Sequence, residues 1–453
     1  MTNRTLMIPL GLALLAAGCA NAPLDYRAQA DGELLRDALH DLTSVIVYDI
    51  FSPPQASRTY AYASIAAYEA LRHENAGYRS LADQVNGLTA VSAPQAADGY
   101  FLPLSGVHAF MTVGRALTFS QERMDSLRSA MHQRFRDMGV PRDVFERSIA
   151  YGDTVAQHVL AWASQDGFIE TRGYPKFTVL PEPGRWVPTP PAYMDAVEPS
   201  WAQLRPFVLD SSSQFRAPPP APFDMTDGSD FRREVMEVFE IGTELSQEQR
   251  AIAAFWDCNP YVMHVRGHAM FATKKITPGG HWMGIVTLAT RKTDADLMAT
   301  AEAFALTAIA LADGFIASWD EKYRTNVVRP ETVINTHIDE QWQPLLQTPP
   351  FPEYTSGHSV ISTAAARVLT DVLGDHFAFA DSTEMEYGLP VRAYASFEQA
   401  AAEAAISRLY AGIHYRMAIE AGITQGRSVG DLVVARVRTR TSGSTAQSTG
   451  GGS

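Results

Sequence analysis

Apolar positions recur at the spacing of an α-helix along most of this chain. From Leu34 to Ile46 they fall on one helical face, and a second such unit opens at Ser52, which can cap a helix that runs to Leu71. Further helical patterns are predicted over residues 121–138, 142–162 and 290–328. Strictly alternating patterns are scarce, so the predicted fold class is all-α.

The helical pattern is interrupted between residues 173 and 224. This segment is rich in proline and includes the runs 188–191 and 218–222, which a continuous helix cannot contain. Five aromatic residues are spread through it: Trp186, Tyr193, Trp201, Phe207 and Phe215. They favour a packed loop over an unstructured linker, since long loops in compact domains usually have a function.

The chain is predicted to contain a leader, one large helical domain and a polar tail. The predicted boundaries are an export signal at 1–18, a linker at 19–29, a helical domain at 30–437 with its Pro-rich loop at 173–224 and a motif region at 303–430, and a tail at 438–453. The tail is rich in Ser, Thr and Gly and lacks apolar anchors, which predicts disorder.

Composition argues against nucleic acid as a partner. The 453 residues are 46% hydrophobic and carry a formal net charge of -13, without a long run of Lys or Arg. Proteins that bind the phosphate backbone usually present a basic face. A cluster of basic residues in this chain should therefore be local and serve a specific site.

The N-terminus resembles a bacterial export signal. Arg4 precedes an apolar run over residues 6–17, and Ala16-Ala17-Gly18-Cys19 resembles the end of a lipoprotein signal. Cys19 would then be lipidated, and the protein would be a periplasmic or outer-surface lipoprotein; plain secretion is the alternative. The later apolar stretch 303–312 is interrupted by Asp313, so the lipid is the only membrane anchor predicted.

Cys258 is the only other cysteine, so no disulfide framework is available. It is predicted to be a small buried hydrophobic residue, with a nucleophile as the less favoured alternative. The sequence gives no indication of the oligomeric state.

The first segment with candidate chemistry contains Lys322 and Arg329-Pro330. A spacing of seven would place the lysine and the arginine on one helical stripe, with Pro330 ending the helix. Two cations at a helix end could clamp an anion. A solvated basic surface is the alternative.

The second segment is Ser356-Gly357-His358, which precedes a helical run over 359–373. Ser356 can cap that helix, whose free amides and positive dipole end attract anions. His358 could act there as an acid or base. Simple helix capping remains the alternative.

The third segment contains Arg408 and His414 within a helical pattern over 397–426. A straight helix would point these residues in different directions, but Gly412 permits a break that turns both inward. His414 could then be a metal ligand or a nucleophile, or a hydrogen-bonded core histidine.

Together, Lys-x6-Arg-Pro, Ser-Gly-His and Ser-Arg-x3-Gly-x-His resemble the three-part signature of the vanadium-dependent haloperoxidases and the type 2 phosphatidic acid phosphatases, which include class A acid phosphatases. The stretch 57–70 also resembles a helix of bacterial haloperoxidase-like members. The resemblance implies an all-helical fold in which two four-helix bundles enclose the site.

The resemblance also implies residue roles. The residues that would hold the oxygens of vanadate or phosphate are Lys322, Arg329, Ser356, Gly357 and Arg408. His358 would be the acid–base residue, and His414 would bind vanadium axially. The reaction implied is oxidation of a halide by hydrogen peroxide. Phe351, five residues before Ser356, resembles the halide-pocket residue of chloroperoxidases.

Two alternatives remain open at the level of sequence. In a phosphatase acting on a phosphomonoester, His414 would form a phosphohistidine and His358 would protonate the leaving alcohol. The chain lacks the Pro-x-Asp element that phosphatases tend to place after the final histidine, which favours the haloperoxidase. A lipoprotein that only binds an oxyanion is the second alternative, although binding alone would not require both histidines.

Three further candidates carry less weight. His264 and His268 have the spacing of a helical zinc pair but lack an evident third ligand. Arg266, His268 or His281 could line the entrance of the site. Asp313 could orient a cation near Lys322, or it could equally be a carboxylate on a helix surface.

Overall fold

The computed structural model describes residues 25–95 and 99–441. The export signal predicted at 1–18, Cys19, and residues 442–453 of the predicted tail lie outside the described residues. Within them, fourteen α-helices and two small two-stranded sheets form, so the all-α prediction is confirmed.

Five helices of the N-terminal half form the first bundle. They are α1 (Glu33–Tyr48), α2 (Pro53–Leu71), α3 (Leu102–Leu117), α4 (Gln121–Asp137) and α5 (Arg142–Ala163). Ser52 caps α2 as the sequence predicts, because its side chain accepts a hydrogen bond from the Gln55 amide. Helix α2 is buried on almost all sides, since it packs against α3 and α5 within the bundle and against the second bundle outside it.

The second bundle is built around α10 (Leu297–Thr325). It also contains α12 (Gly357–Leu373), α13 (Phe397–Tyr410) and α14 (Arg416–Arg436). Helix α10 contacts both α2 and α12 and so joins the two bundles. Its length and apolar composition would allow it to cross a membrane, but it is almost entirely buried inside the protein, as expected for a core helix. The prediction of one continuous helix over 290–328 is wrong at both ends. Helix α9 (Pro278–Lys292) is separate from α10 and contains the first residues of this range, and α10 ends at Thr325, before the predicted end.

Shorter elements complete the fold. They are α6 (Phe168–Arg172), α7 (Asp230–Thr243), α8 (Gln247–Phe255) and α11 (Pro330–His337), with the antiparallel pairs β1 (Val262–Arg266) with β2 (Ala269–Thr273) and β3 (Phe379–Asp381) with β4 (Arg392–Tyr394). Residues 26–29 of the predicted linker form a 3-10 turn.

The Pro-rich segment is a packed loop anchored to α10. Trp186, Trp201 and Phe207 are buried, whereas Tyr193 is exposed. Asp313 accepts hydrogen bonds from the backbone amides of residues 207, 208 and 209 at 2.6, 2.7 and 3.0 Å. Asp313 therefore holds this loop, and the prediction that it orients a cation is wrong.

The start of the predicted tail is ordered. Thr439 and Arg440 both bond to the carboxylate of Glu302, and the Arg79 amide donates to the Thr439 carbonyl at 2.8 Å. The predicted disorder is therefore wrong for residues 438–441, because a buried carboxylate on α10 replaces the missing apolar anchors.

Candidate active site

A cavity of about 410 Å³ lies between the two bundles. The N-terminal half contributes Phe51, Pro53, Met194 and Val197 to its wall, and the C-terminal half contributes Trp319, Phe351, Gly357, His358, Arg408, Ile413 and His414. Most of these side chains are apolar, and the two histidines and the arginine are the polar groups contributed by the three motifs. The wall also contains polar residues outside the motifs, among them Asp257, Asn259 and Gln347.

Lys322 lies near the end of α10 and is fully buried. Its ammonium donates to the carbonyls of Pro352, Glu353 and Thr355 at 3.1, 3.1 and 2.5 Å. Burial, with a contribution from Arg329, places the pKa of Lys322 well below its usual range. The lysine thus fixes the loop before α12 while bringing a positive charge beneath it.

Arg329 reaches the site from the start of α11 rather than from α10. Helix α10 ends at Thr325, where Asn326 adopts the left-handed conformation that commonly terminates a helix, and Pro330 begins α11. The prediction that Lys322 and Arg329 share one helical stripe is therefore wrong. The turn between α10 and α11 nevertheless brings both side chains to the same loop before α12.

The guanidinium of Arg329 is buried among backbone carbonyls. It donates to the carbonyls of Phe351 at 2.9 Å and Ile413 at 2.8 Å, and its Nη1 lies 3.2 Å from Nε2 of His414. The Nη2 atom is buried and has no hydrogen-bond partner among the residues that the structure describes. Burial lowers the pKa of Arg329 to about 10, so the side chain stays charged at neutral pH.

Ser356 caps α12, as the sequence predicts. Its hydroxyl accepts from the Ser359 amide at 3.4 Å, which leaves the Gly357 amide at the first, unpaired position of the helix. His358 follows on the cavity wall, and its buried Nε2 has no hydrogen-bond partner within residues 25–95 and 99–441. Burial and the nearby Arg408 hold the pKa of His358 well below its usual range, so the imidazole is neutral.

Arg408 and His414 are brought together by the break between α13 and α14. Gly412 has a φ of +77°, a conformation that favours glycine. Arg408 donates to the Ser407 hydroxyl at 2.9 Å and to the Trp256 carbonyl at 2.6 Å. The prediction that Gly412 allows both side chains to face one site agrees with this geometry, since both line the cavity.

His414 is oriented by a carboxylate that sequence reasoning did not identify. Its Nδ1 lies 2.7 Å from Oε1 of Glu353, which also accepts from the Tyr415 amide at 3.0 Å. Burial and then Arg329 keep the pKa of His414 well below its usual range. If the neutral imidazole carries its proton on Nδ1 and donates it to Glu353, then Nε2 has a lone pair for a ligand.

Opposing effects act on the pKa of Glu353. Burial raises the pKa of Glu353 to about 7, although Arg329 and Lys322 act in the opposite direction. The only sequence signal for this residue was its place three residues before Ser356, which gave no reason to assign it a role.

Phe351 packs over the two cations behind the cavity wall. Its ring centroid lies 5.0 Å from the Lys322 ammonium and 5.1 Å from the guanidinium carbon of Arg329. The ring of Trp319 is 4.9 Å away. Phe351 therefore forms an apolar surface of the cavity directly beside its positive charge.

The electrostatics of this site favour a compact anion. Among the described residues, none of Lys322, Arg329 and Arg408 forms an ion pair with a carboxylate. The positive end of α12 adds to their charge. Together with the unpaired Nη2 of Arg329 and Nε2 of His358, these groups fit a tetrahedral oxyanion held next to the Nε2 atom of His414.

Of the weaker candidates, His264, His268 and His281 do not line the cavity, whereas Cys258 does. His264 lies on β1 and His268 in the turn that follows, so their spacing is not that of a helix, and His264 bonds to Thr273 at 3.0 Å. His281 is fully buried rather than at the cavity entrance. Cys258 is buried as predicted, but it contacts polar groups instead of only apolar ones.

Comparisons with known proteins agree with this geometry. A family model described as the VCPO second helical-bundle domain matches residues 302–443. A solved structure described as the first bacterial vanadium-dependent iodoperoxidase is 49% identical, covers 91% of this chain and 98% of that chain, and superposes with a TM-score of 0.87.

More distant structures share the fold. The holo form of a bacterial vanadium-dependent chloroperoxidase is 18% identical over 86% of this chain and 93% of that chain, with a TM-score of 0.67. The apo form of a bacterial vanadium-dependent chloroperoxidase is 17% identical over 83% and 92%, with a TM-score of 0.64. No curated protein matches the chain.

Proposed function

The chain belongs to the vanadium-dependent haloperoxidases and is an enzyme of that type, and from this premise we propose that it oxidises iodide with hydrogen peroxide at a vanadate bound in the cavity. The observation that carries the proposal is the meeting of three buried cations and two neutral imidazoles beside one apolar cavity. Iodide is favoured because the 49% identical structure is described as an iodoperoxidase and because iodide is the most easily oxidised of the common halides.

The donor set determines how vanadate would be held. Arg329 and Arg408 would donate to its oxygens, assisted by the Gly357 amide and the Ser356 hydroxyl, and His414 Nε2 would bind vanadium. Lys322 would contribute its charge. When bound, vanadate supplies a Lewis acid that activates hydrogen peroxide for attack by a halide.

His358 would move the proton that this chemistry requires. Its neutral Nε2 has no hydrogen-bond partner in the described part of the chain, so it can accept a proton from hydrogen peroxide and return it to the departing oxygen. Overall, iodide, hydrogen peroxide and one proton give hypoiodous acid and water. The apolar wall formed by Phe315, Trp319 and Phe351 would limit access of bulk water to this proton transfer.

The decisive assay measures halide oxidation by the purified chain with and without vanadate. We expect iodide oxidation that requires both vanadate and peroxide, with bromide at least about tenfold slower. His414→Ala should lower the iodide rate by more than about 100-fold, because losing even a partner behind a metal ligand costs roughly 10–100-fold. His337→Ala, which changes an exposed histidine at the end of α11, is the matched control and should leave the rate unchanged.

Two results would contradict the proposal. Equal rates with bromide and iodide would refute the preference for iodide. Hydrolysis of a phosphomonoester that vanadate inhibits, without halide oxidation, would support the phosphatase chemistry through a phosphohistidine at His414.

We also propose that the protein is exported and anchored through a lipid on Cys19. The support is the signal-like sequence at 1–18. In a Gram-negative host the full chain should partition with membranes, and Cys19→Ser should move it to the soluble fraction. A wild-type chain found only in the soluble fraction would refute the anchor.

A further inference from the structure

A second buried cluster of ligand-type side chains lies behind the cavity wall. Cys258 follows α8, His281 lies in the first turn of α9, and Glu384 comes shortly after β3. All three are at most 1% exposed. Three separate segments thus converge on one point that the oxyanion site does not use.

The ligand atoms of this cluster are spaced for a metal ion. The Cys258 Sγ lies 3.4 Å from His281 Nδ1, and that nitrogen lies 3.1 Å from Glu384 Oε1. The sulfur and the carboxylate oxygen are 3.9 Å apart. A tetrahedral zinc ion with bonds of roughly 2.3 Å to sulfur and about 2.0 Å to nitrogen and oxygen would separate such atoms by about 3.3–3.6 Å.

The surroundings of His281 are those of a metal-bound histidine. Its other nitrogen, Nε2, lies 2.8 Å from Oδ2 of Asp381, and Oδ1 of the same carboxylate accepts from the Thr383 amide at 3.0 Å. Such a carboxylate fixes the ring and leaves Nδ1 for the metal. The Trp256 ring stacks on the imidazole with centroids 4.6 Å apart, which restricts the ring further.

The charges of the cluster suit a cation. Asp381 and Glu384 bring two carboxylates, and a thiolate would add a third negative charge. Oε2 of Glu384 is buried, and no described residue forms a hydrogen bond with it. Two positive charges lie nearby. The Lys275 ammonium is 4.0 Å from Glu384 and donates to the Asp257 carbonyl at 3.1 Å, and the Arg408 guanidinium acts on Cys258, where it favours the thiolate.

We propose that Cys258, His281 and Glu384 bind one divalent cation of the zinc class, with a water molecule from the cavity side as fourth ligand. Mixed sulfur, nitrogen and oxygen donors select zinc or cobalt over magnesium or calcium. Binding replaces the proton on Sγ and any proton on Nδ1, so protons are released as the bonds to the cation form. The cavity that Cys258 lines provides the entry path.

The cation would stabilise the segment that supports the oxyanion site. The Trp256 carbonyl accepts from Arg408 at 2.6 Å, and the Trp256 backbone hydrogen-bonds with His358. Tethering Cys258 two residues later would hold this carbonyl in place. The proposed role is therefore structural, and it does not depend on which halide is oxidised.

Cobalt provides the direct test, because a thiolate–cobalt bond gives a charge-transfer absorption band. The full chain is stripped with a chelator and titrated with Co²⁺ without vanadate or peroxide. We expect one equivalent of Co²⁺ to produce the band and Zn²⁺ to displace it. Cys258→Ser should abolish the band, whereas Cys19→Ser should retain it.

A second variant keeps the test valid if Cys258→Ser does not fold. Glu384→Gln should weaken Co²⁺ binding by about tenfold or more, and Glu386→Gln, which changes an exposed carboxylate two residues away, should not. Circular dichroism checks that each chain is folded. A folded, stripped wild type that gives no band with excess Co²⁺, or a band that survives in folded Cys258→Ser, would overturn the proposal.

Discussion

Two buried histidines of this protein have similar hydrogen bonds and opposite electrostatic surroundings. His414 has one nitrogen 2.7 Å from Glu353, and His281 has one nitrogen 2.8 Å from Asp381. The second nitrogen of His414 lies 3.2 Å from Arg329, whereas the second nitrogen of His281 lies 3.4 Å from Cys258 and 3.1 Å from Glu384.

The neighbours decide the protonation of each ring. Burial and surrounding cations keep the pKa of His414 well below the usual range. Burial also opposes the charged form of His281, but Asp381 and Cys258 outweigh it, and its pKa lies well above the usual range. The surroundings of His414 therefore suit a bound anion. Those of His281 suit a cation, which would replace the proton on the imidazole.

The largest expected effect comes from removing a cation from the His414 cluster. Arg329→Met should weaken vanadate binding by at least about 100-fold, because two hydrogen bonds to a charged group are each worth roughly 1.5–3 kcal/mol and about 1.4 kcal/mol is tenfold. Equilibrium dialysis of orthovanadate measures this loss. Arg324→Met is the matched control, since Arg324 is half-exposed on the last turn of α10 and pairs with Glu321.

If Arg329→Met binds vanadate as tightly as the wild type, the excess of positive charge is not what binds the anion. Cobalt binding at the His281 cluster should be unchanged in this variant, which separates a local effect from general loss of structure.

A smaller effect should follow from removing the carboxylate behind His281. Asp381→Asn should weaken Co²⁺ binding by about tenfold, because both the negative charge and the orientation of the imidazole are lost. Titration of the charge-transfer band measures the change, with Asp375→Asn in an exposed loop as control. An unchanged affinity for Co²⁺ would show that Asp381 does not orient the His281 imidazole for metal binding.

The smallest effect concerns Asp313, a buried carboxylate with neither a cation nor an imidazole beside it. Burial raises the pKa of Asp313 to about 6, against the effect of three backbone amides. Because the folded pKa is above the unfolded one, its contribution to stability is complete below the unfolded pKa and is lost as pH rises through about 6. Between pH 5 and 7 this loss should be about 1 kcal/mol.

Urea unfolding of the wild type and Asp313→Asn at both pH values measures this difference. The variant is neutral throughout, so the gap between the two free energies of unfolding should change with pH by that amount. A gap that is constant with pH would show that the three amides keep Asp313 ionised.

The helices were predictable to within a few residues where amphipathic patterns had clear ends. Helix α4 begins at Gln121 and α5 at Arg142, as the pattern predicted. The end of α10 was not predictable, because Val327 and Val328 continue the apolar pattern up to Pro330, whereas the helix ends at Asn326 in the left-handed conformation. The roles assigned to the site residues stay predictions, although the seven residues of the three motifs lie around one cavity or directly behind its wall.

By itself, the sequence determined which side chains could bind an oxyanion, because the three motifs are local patterns. It also determined that the fold would be helical, because helical periodicity is a local property of the chain. Only the tertiary structure decided that Glu353 orients His414, that Asp313 holds a loop, and that Cys258, His281 and Glu384 meet. These contacts join residues far apart in the chain. Their geometry depends on how helices pack and turn, which no local pattern of residues specifies.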